Sequence, residues 1–295
     1  MSAPKTNPEP PTLLLERRAF NAERREQARD RDARRYRLPE ERATDARLTI
    51  PHEKGFAVYP PGHIKEADVV ISAANELIDS IGHDGLTAQA TKPFMASGFI
   101  PKGALGLDSP YMQFALSEDV IDAVTTYLDF VPVLWKVDVW YSMYRKEAPR
   151  RSQLWHLDHA DTTQVKVLLH LDDITPASGP MTVIDADASD RLSERVGWVF
   201  DDGRRVTDEQ VIEVVGSDGI VRFEGPTGTV DFVDTSRCFH FGSRVEPSGT
   251  PRRLFMAQYL TPYAFKFSDH RDQAPYRGLA SGTSSELEAL VLGAA

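Results

Sequence analysis

The sequence predicts an α+β domain whose core is a β-sandwich or jelly roll. Three observations carry that prediction. Helix-like segments dominate the chain up to about residue 130. From Val131 onward short runs rich in β-branched and aromatic residues take over, as pleated, half-buried strands require. Turn residues separate seven or eight such runs, the spacing of a sandwich or jelly roll rather than of alternating β-α-β units. The 295 residues suffice for one large domain, and no repeat of 20–50 residues divides them.

Composition narrows the function classes. A formal net charge of −10 argues against a general nucleic-acid binder, which carries a basic face, while leaving room for a local basic pocket. One cysteine, Cys238, excludes an intrachain disulfide framework and any cysteine-rich zinc module. The first residues lack the apolar run of a secretion signal, and no window reaches the roughly 18 continuous apolar residues that span a bilayer. A cytoplasmic protein without membrane or nucleic-acid partners is the expectation.

Taken in order, residues 1–12 are Pro-rich and polar and read as disordered. Residues 13–47 mix Arg with Glu and Asp and read as a solvated helix on the domain surface or in a subunit contact; 1–47 therefore form a charged arm ahead of a domain at 48–295. GFAVYP at 55–60 reads as a strand ended by a turn, and 64–82 as a helix stopped by Gly82. Residues 84–110 read as a long loop covering a site. A second helix runs from an N-cap at Ser117 to about Phe130. Strands follow at 133–144, 165–171, 181–184, 219–223, 229–233 and 254–260, with a polar insertion at 187–215 that is a second lid candidate.

The chemistry concentrates at 153–161, Gln-Leu-Trp-His-Leu-Asp-His-Ala-Asp. In extended backbone residues i and i+2 share a face, so His156 and Asp158 point one way and Trp155 and Leu157 the other. A third ligand is available at His240, beyond the strand at 229–233, with Gly242 permitting a close backbone turn. A jelly roll sets early and late strands side by side and would unite the three. Two imidazoles and one carboxylate form the facial triad of non-haem Fe(II) oxygenases. Arg252 and Arg253 open the last apolar strand, where a guanidinium can grip a carboxylate with two bonds.

At this point WHLDHAD (155–161), LLHLDDITPASGPMTVI (168–184), DTSRCFHFG (234–242) and PRRLFMAQYL (251–260) together resemble the phytanoyl-CoA dioxygenase-like group of Fe(II)/2-oxoglutarate oxygenases. The resemblance covers roughly 130–262. It implies a double-stranded β-helix, the cupin-like form of the jelly roll, with flanking N-terminal helices. It implies iron held by His156, Asp158 and His240, with Arg252 on the far carboxylate of 2-oxoglutarate. O2 is then the oxidant, a small organic molecule the substrate, and succinate and CO2 the by-products. Because Asp158 is present, the resemblance implies hydroxylation or a related oxidation and not halogenation. The chain departs from the family in two places: Arg252 lies twelve rather than about eleven residues after His240, and IDADASD (184–190) replaces a Pro-Gly-Ser-His-like turn.

Other candidates are read more plainly. His159 and Asp161 form a second His-x-Asp, ranked behind the first because Trp155 precedes His156. His170 reads as a hydrogen-bonded core histidine, Lys166 as a solvent-facing strand residue with the cosubstrate as its other possible partner, and Ser243 as a turn serine. Arg237 and Arg244 either line the substrate mouth or form surface pairs, and Trp140 and Tyr141 either line the barrel or pack the core. Two other functions stay open: a cupin-like metal-dependent isomerase or hydrolase, and a non-catalytic ligand-binding barrel.

Overall fold

A computed structural model describes residues 11–30, 32–42, 47–200, 204–265, 274–283 and 285–294. The expected disorder of the first residues, and the Asp-Asp-Gly of 201–203, fall largely or wholly outside them.

The charged N-terminal stretch forms α1 (Leu14–Ala28) and α2 (Ala33–Arg42). These helices are not simply solvated. Leu14, Arg17 and Asn21 of α1 are buried, and the Arg17 guanidinium lies 4.4 and 4.7 Å from the ring centroids of Phe200 and Phe265. Arg35 of α2 is buried too, donating to the carbonyls of Val131, Pro132, Leu290 and Ala294. Long cationic side chains here cover apolar surface with their stems while their heads satisfy main-chain carbonyls.

The chain then forms β1 (Phe56–Tyr59) and α3 (Ala67–Ala88). Gly82 does not stop α3: it adopts φ 70° and ψ 164°, a kink after which helix resumes to Ala88. The predicted loop holds β2 (Met95–Ser97), a 3-10 turn and the start of α4 (Pro110–Ala115), so it is anchored rather than free. Next come α5 (Glu118–Leu128), β3 (Val133–Ser142), β4 (Gln164–His170) and β5 (Thr182–Val183). Ser117 has the extended backbone of an N-cap but its side chain makes no capping bond. The insertion is mainly helical, as α6 (Ala186–Val196) and α7 (Asp208–Val215). The remaining elements are β6 (Val221–Arg222), β7 (Val230–Val233), β8 (His240–Phe241), β9 (Arg252–Leu260) and α8 (Glu286–Val291).

Two antiparallel sheets result, one of six strands ordered β1-β7-β4-β9-β3-β2 and one of three ordered β6-β5-β8. Alternation along the central strands sorts side chains cleanly. Val165, Val167 and Leu169 of β4 and Phe255, Ala257 and Tyr259 of β9 face back into a core shared with Val70, Ala74 and Ile78 of α3 and with Phe114 and Val124. Leu168, Val233, Leu254 and Met256 face forward and pack against Val183 of the small sheet and Met181 just before it. Each large apolar side chain buried this way contributes about 1.5–3 kcal/mol. The functional site opens in the layer between the two sheets, at the end where β8 and β9 begin.

Candidate metal and anion site

Segment 154–158 is extended without belonging to either named sheet. His156 and His240 exchange main-chain hydrogen bonds, His156 N to His240 O at 3.1 Å and His240 N to His156 O at 3.0 Å. Residues paired by two such bonds project their side chains to one side, so the imidazoles meet with ring centroids 4.3 Å apart. β8 pairs with β5 on its other edge, placing His240 opposite Val183. Asp158 N donates to Thr235 O at 2.8 Å, which keeps the chain extended for one more pleat and returns Asp158 to the face of His156. Trp155 and Leu157 point the other way, into a cluster with Leu14, Leu192, Trp198 and Phe239.

The three side chains converge. His156 Nε2 lies 3.8 Å from Asp158 Oδ1, and His240 Nε2 lies 3.9 Å from Asp158 Oδ2. One ligand atom from each residue falls within 4.8 Å of the others. Nδ1 of His156 donates to the Leu154 carbonyl at 2.8 Å, and Nδ1 of His240 to that of Cys238 at 3.0 Å. These bonds leave each Nε2 lone pair facing the centre, the orientation a metal requires. Burial, together with the facing His240, lowers the His156 pKa to about 3; burial lowers that of His240 to about 4. Both imidazoles are therefore neutral near pH 7. Burial alone would raise the Asp158 pKa, but Lys166 and the two histidines hold it well below the usual carboxylate range.

Lys166 is thus not solvent-facing. Its Nζ bonds Asp158 Oδ2 at 2.5 Å and lies 5.6 Å from the Trp140 ring centroid. A signal existed in the sequence: Lys166 shares its strand face with Leu168 in a run otherwise apolar, so it had to be paired or lining a cavity.

Eleven residues beyond Phe241, β9 begins with Arg252, which pairs in register with Ser142 of β3. Arg252 faces inward and is 4% exposed, whereas Arg253 turns outward to Asp79 at 2.9 Å and Asp172 at 3.3 Å. Nη2 of Arg252 donates to Ser243 Oγ at 3.0 Å and Ser142 Oγ at 3.3 Å, while Nε and Nη1 have no partner among the described residues. Burial, partly opposed by Asp231, lowers its pKa to about 10, so it stays charged. Ser243 takes a left-handed φ of 62° and is more than a turn residue, since its hydroxyl holds both Ser142 and Arg252. A Cβ on Gly242 would sit 3.4 Å from two guanidinium nitrogens, so glycine leaves that group its room.

These residues line one cavity of about 120 Å³, together with Lys92 and Met95 from the 84–110 segment and Trp140, Ser152, Leu168, Met181, Phe241 and Leu254. No described residue of 187–215 lines it. That segment backs the site instead: Asp208 accepts from Trp155 Nε1 at 2.7 Å and pairs with Arg244, which stacks on Phe241 at 3.5 Å. Arg237 bonds the His52 carbonyl and the Tyr127 hydroxyl, also away from the cavity. Tyr141 turns to the back face and meets His83.

The second His-x-Asp separates. His159 is exposed. Asp161 is fully buried and accepts from Asn21 Nδ2 at 3.1 Å, Thr162 N at 2.7 Å and Thr261 N at 2.9 Å, tying α1 to the end of β9. His170 is a core histidine paired with Asp231 at 2.8 Å. Cys238 is buried beside Gly55, and the chain's described helices include none long and apolar enough to cross a membrane.

No protein-family model matches the sequence, and no curated protein matches it. Among solved structures it is similar to EctD from S. alaskensis in its apoform, at 19% identity over 71% of this chain and 74% of that one, with a TM-score of 0.49. The non-heme alpha ketoglutarate dependent epimerase SnoN from nogalamycin biosynthesis is similar at 17% identity over 80% and 83%, with a TM-score of 0.48. AviO1 from Streptomyces viridochromogenes Tue57 is similar at 20% identity over 72% and 92%, with a TM-score of 0.47.

Proposed function

We propose that this chain is a non-haem Fe(II)/2-oxoglutarate-dependent dioxygenase of the phytanoyl-CoA dioxygenase-like kind, built on a double-stranded β-helix. Its substrate on this reading is a small organic molecule, hydroxylated or otherwise oxidised with release of succinate and CO2. One observation carries the reading. A buried arginine with two donors unpartnered among the described residues opens on the same cavity as two neutral imidazoles and a carboxylate. Unpaired donors on a buried charge are costly unless a ligand satisfies them, and a planar carboxylate matches the fork of a guanidinium. A metal-dependent isomerase or hydrolase would need the triad and not the arginine.

His156, Asp158 and His240 would hold the metal, two neutral nitrogens and one oxygen suiting a borderline divalent ion. The chemistry such a centre supplies when bound is activation of O2 coupled to oxidative decarboxylation of the 2-oxoacid. The chain's own residues do the rest. Leu154 and Cys238 carbonyls orient the imidazoles. Lys166 takes one Asp158 oxygen and fixes that carboxylate's rotation. Arg252, with Ser142 and Ser243 behind it, positions the distal carboxylate of the cosubstrate. Trp140, Leu168, Met181 and Leu254 give the cavity apolar walls that limit water near the reacting carbon. The test is succinate formation from 2-oxoglutarate in the presence of Fe(II) and O2: His156→Ala and Asp158→Ala should each abolish it, and undiminished formation in either variant rejects the assignment.

A further inference from the structure

The cavity carries more positive charge than the proposed centre uses. Lys92, Lys166 and Arg252 line it, and Asp158 is the one carboxylate among the described lining residues. A dipositive metal and a doubly negative 2-oxoacid cancel. Lys166 is answered by Asp158 at 2.5 Å, and Arg252 has Asp231 behind it, an acid whose pKa burial raises. Even with Asp231 counted as fully ionised, one cation is left over, and by position it is Lys92.

Lys92 is held for a purpose that its own contacts do not exhaust. Its main chain exchanges two hydrogen bonds with Met95, both at 3.0 Å, closing a tight turn. Arg145 ties that turn down through the Pro93 carbonyl, and β2, which starts at Met95, pairs with β3. The ammonium has three donors, of which Ser152 Oγ takes one at 2.8 Å, and no described carboxylate lies within ion-pair distance. Burial, then the neighbouring Lys166, pushes its pKa down to about 8, as fits an ammonium set among cations and apolar walls. Its Nζ lies 5.9 Å from the Phe94 ring centroid, and Met95, Trp140, Met181 and Phe241 line the same cavity.

We propose that Lys92, with Ser152 beside it, is the recognition point for a carboxylate on the substrate, so that the molecule oxidised is an apolar-bodied monocarboxylate. This rests on the iron and 2-oxoglutarate reading above. One ammonium and one hydroxyl match the two oxygens and single charge of a carboxylate, and binding it restores the charge balance of the loaded cavity. The pinned turn fixes the distance from that anchor to the metal triad, so the anion sets which carbon is presented.

The test uses calorimetry on the full chain loaded with Fe(II) and 2-oxoglutarate without oxygen. The probes are short straight-chain and aryl monocarboxylates, each paired with its primary amide. A charge-assisted bond to a buried ammonium predicts that at least one carboxylate binds about tenfold or more tightly than its amide. Lys92→Met should bring that pair to near parity while 2-oxoglutarate affinity stays within about twofold, as for separate sites. If no carboxylate shows a preference that Lys92→Met removes, or if that variant weakens 2-oxoglutarate binding itself, the proposal is overturned. If the unmutated chain takes up no 2-oxoglutarate with Fe(II), the function reading fails and this inference with it. Normal uptake without a Lys92-dependent preference defeats the inference alone.

Discussion

Replacing Arg252 by methionine separates a ligand-binding arginine from a structural one, because the two roles predict opposite signs. In the ligand-free protein Nε and Nη1 are buried without partners among the described residues. Each such donor forfeits about 1–3 kcal/mol of solvation, offset in part by the bonds from Nη2 to Ser142 and Ser243. Methionine has similar length and no donors, and Asp231 keeps His170 as its partner. The ligand-free Arg252→Met protein should therefore unfold at the same urea concentration as the parent or a higher one, as for other buried charges replaced by apolar groups. Cosubstrate binding should respond the other way. Two charge-assisted bonds at about 1.5–3 kcal/mol each amount to about 3–6 kcal/mol. That corresponds to a rise in the 2-oxoglutarate Kd of roughly a hundredfold to ten-thousandfold. Arg252→Lys should fall between, since an ammonium supplies charge without the two-pronged fork. Calorimetric titration of 2-oxoglutarate into the metal-loaded variants, beside urea unfolding of the metal-free ones, reads both quantities. A methionine variant that is strongly destabilised yet binds 2-oxoglutarate normally would refute the reasoning.

Three further outcomes are expected. Asn21→Ala withdraws a donor from buried Asp161 and from Thr162; it should cost about 1–3 kcal/mol in urea unfolding, and an unchanged midpoint would mean that α1 is not docked through that bond. Measured against a His156→Gln/His240→Gln double variant, the metal-free protein should gain stability as pH rises from about 4 to about 6.5 and hold that difference above, while buried Asp161, raised to about 7, pulls both proteins the other way. His156 and His240 have folded pKa values of about 3 and about 4, below the unfolded value near 6.5, so the unfolded chain binds more protons in that window. Gly55→Ala would strain a φ of +70° and set a Cβ 2.7 Å from Cys238 Sγ. It should destabilise by about 1–3 kcal/mol, measured by the same unfolding assay.

The parts of this site that could be read in the sequence are those fixed by local periodicity. Two-residue alternation put His156 and Asp158 on one face and Trp155 and Leu157 on the other, and the same rule allowed only one of Arg252 and Arg253 to face inward. Which arginine it is depends on register, set by the Arg252–Ser142 pairing across β3 and β9. His240 was visible only as a histidine after a strand; its place comes from the paired main-chain bonds with His156. What alternation and helix periods do not encode is docking between distant segments. Lys92 lies in a turn with no period to read, and its arrival at the site depends on β2 pairing with β3. Asn21 and Arg17 look like ordinary polar residues of a charged helix, and only contact with residues 161 and 200 buries them. The 187–215 segment looked like a lid because it is polar, yet the apolar stripe of Leu192, Val211 and their neighbours turns it toward the back of Trp155.

The most direct measurement is a crystal structure of the chain grown without oxygen in the presence of Fe(II) and 2-oxoglutarate, with anomalous diffraction collected at the iron edge. The account predicts a single strong peak among His156 Nε2, His240 Nε2 and the Asp158 carboxylate, and cosubstrate density whose distal carboxylate meets Nε and Nη1 of Arg252. Iron bound elsewhere, or a 2-oxoglutarate whose distal carboxylate leaves Arg252 untouched, would contradict it.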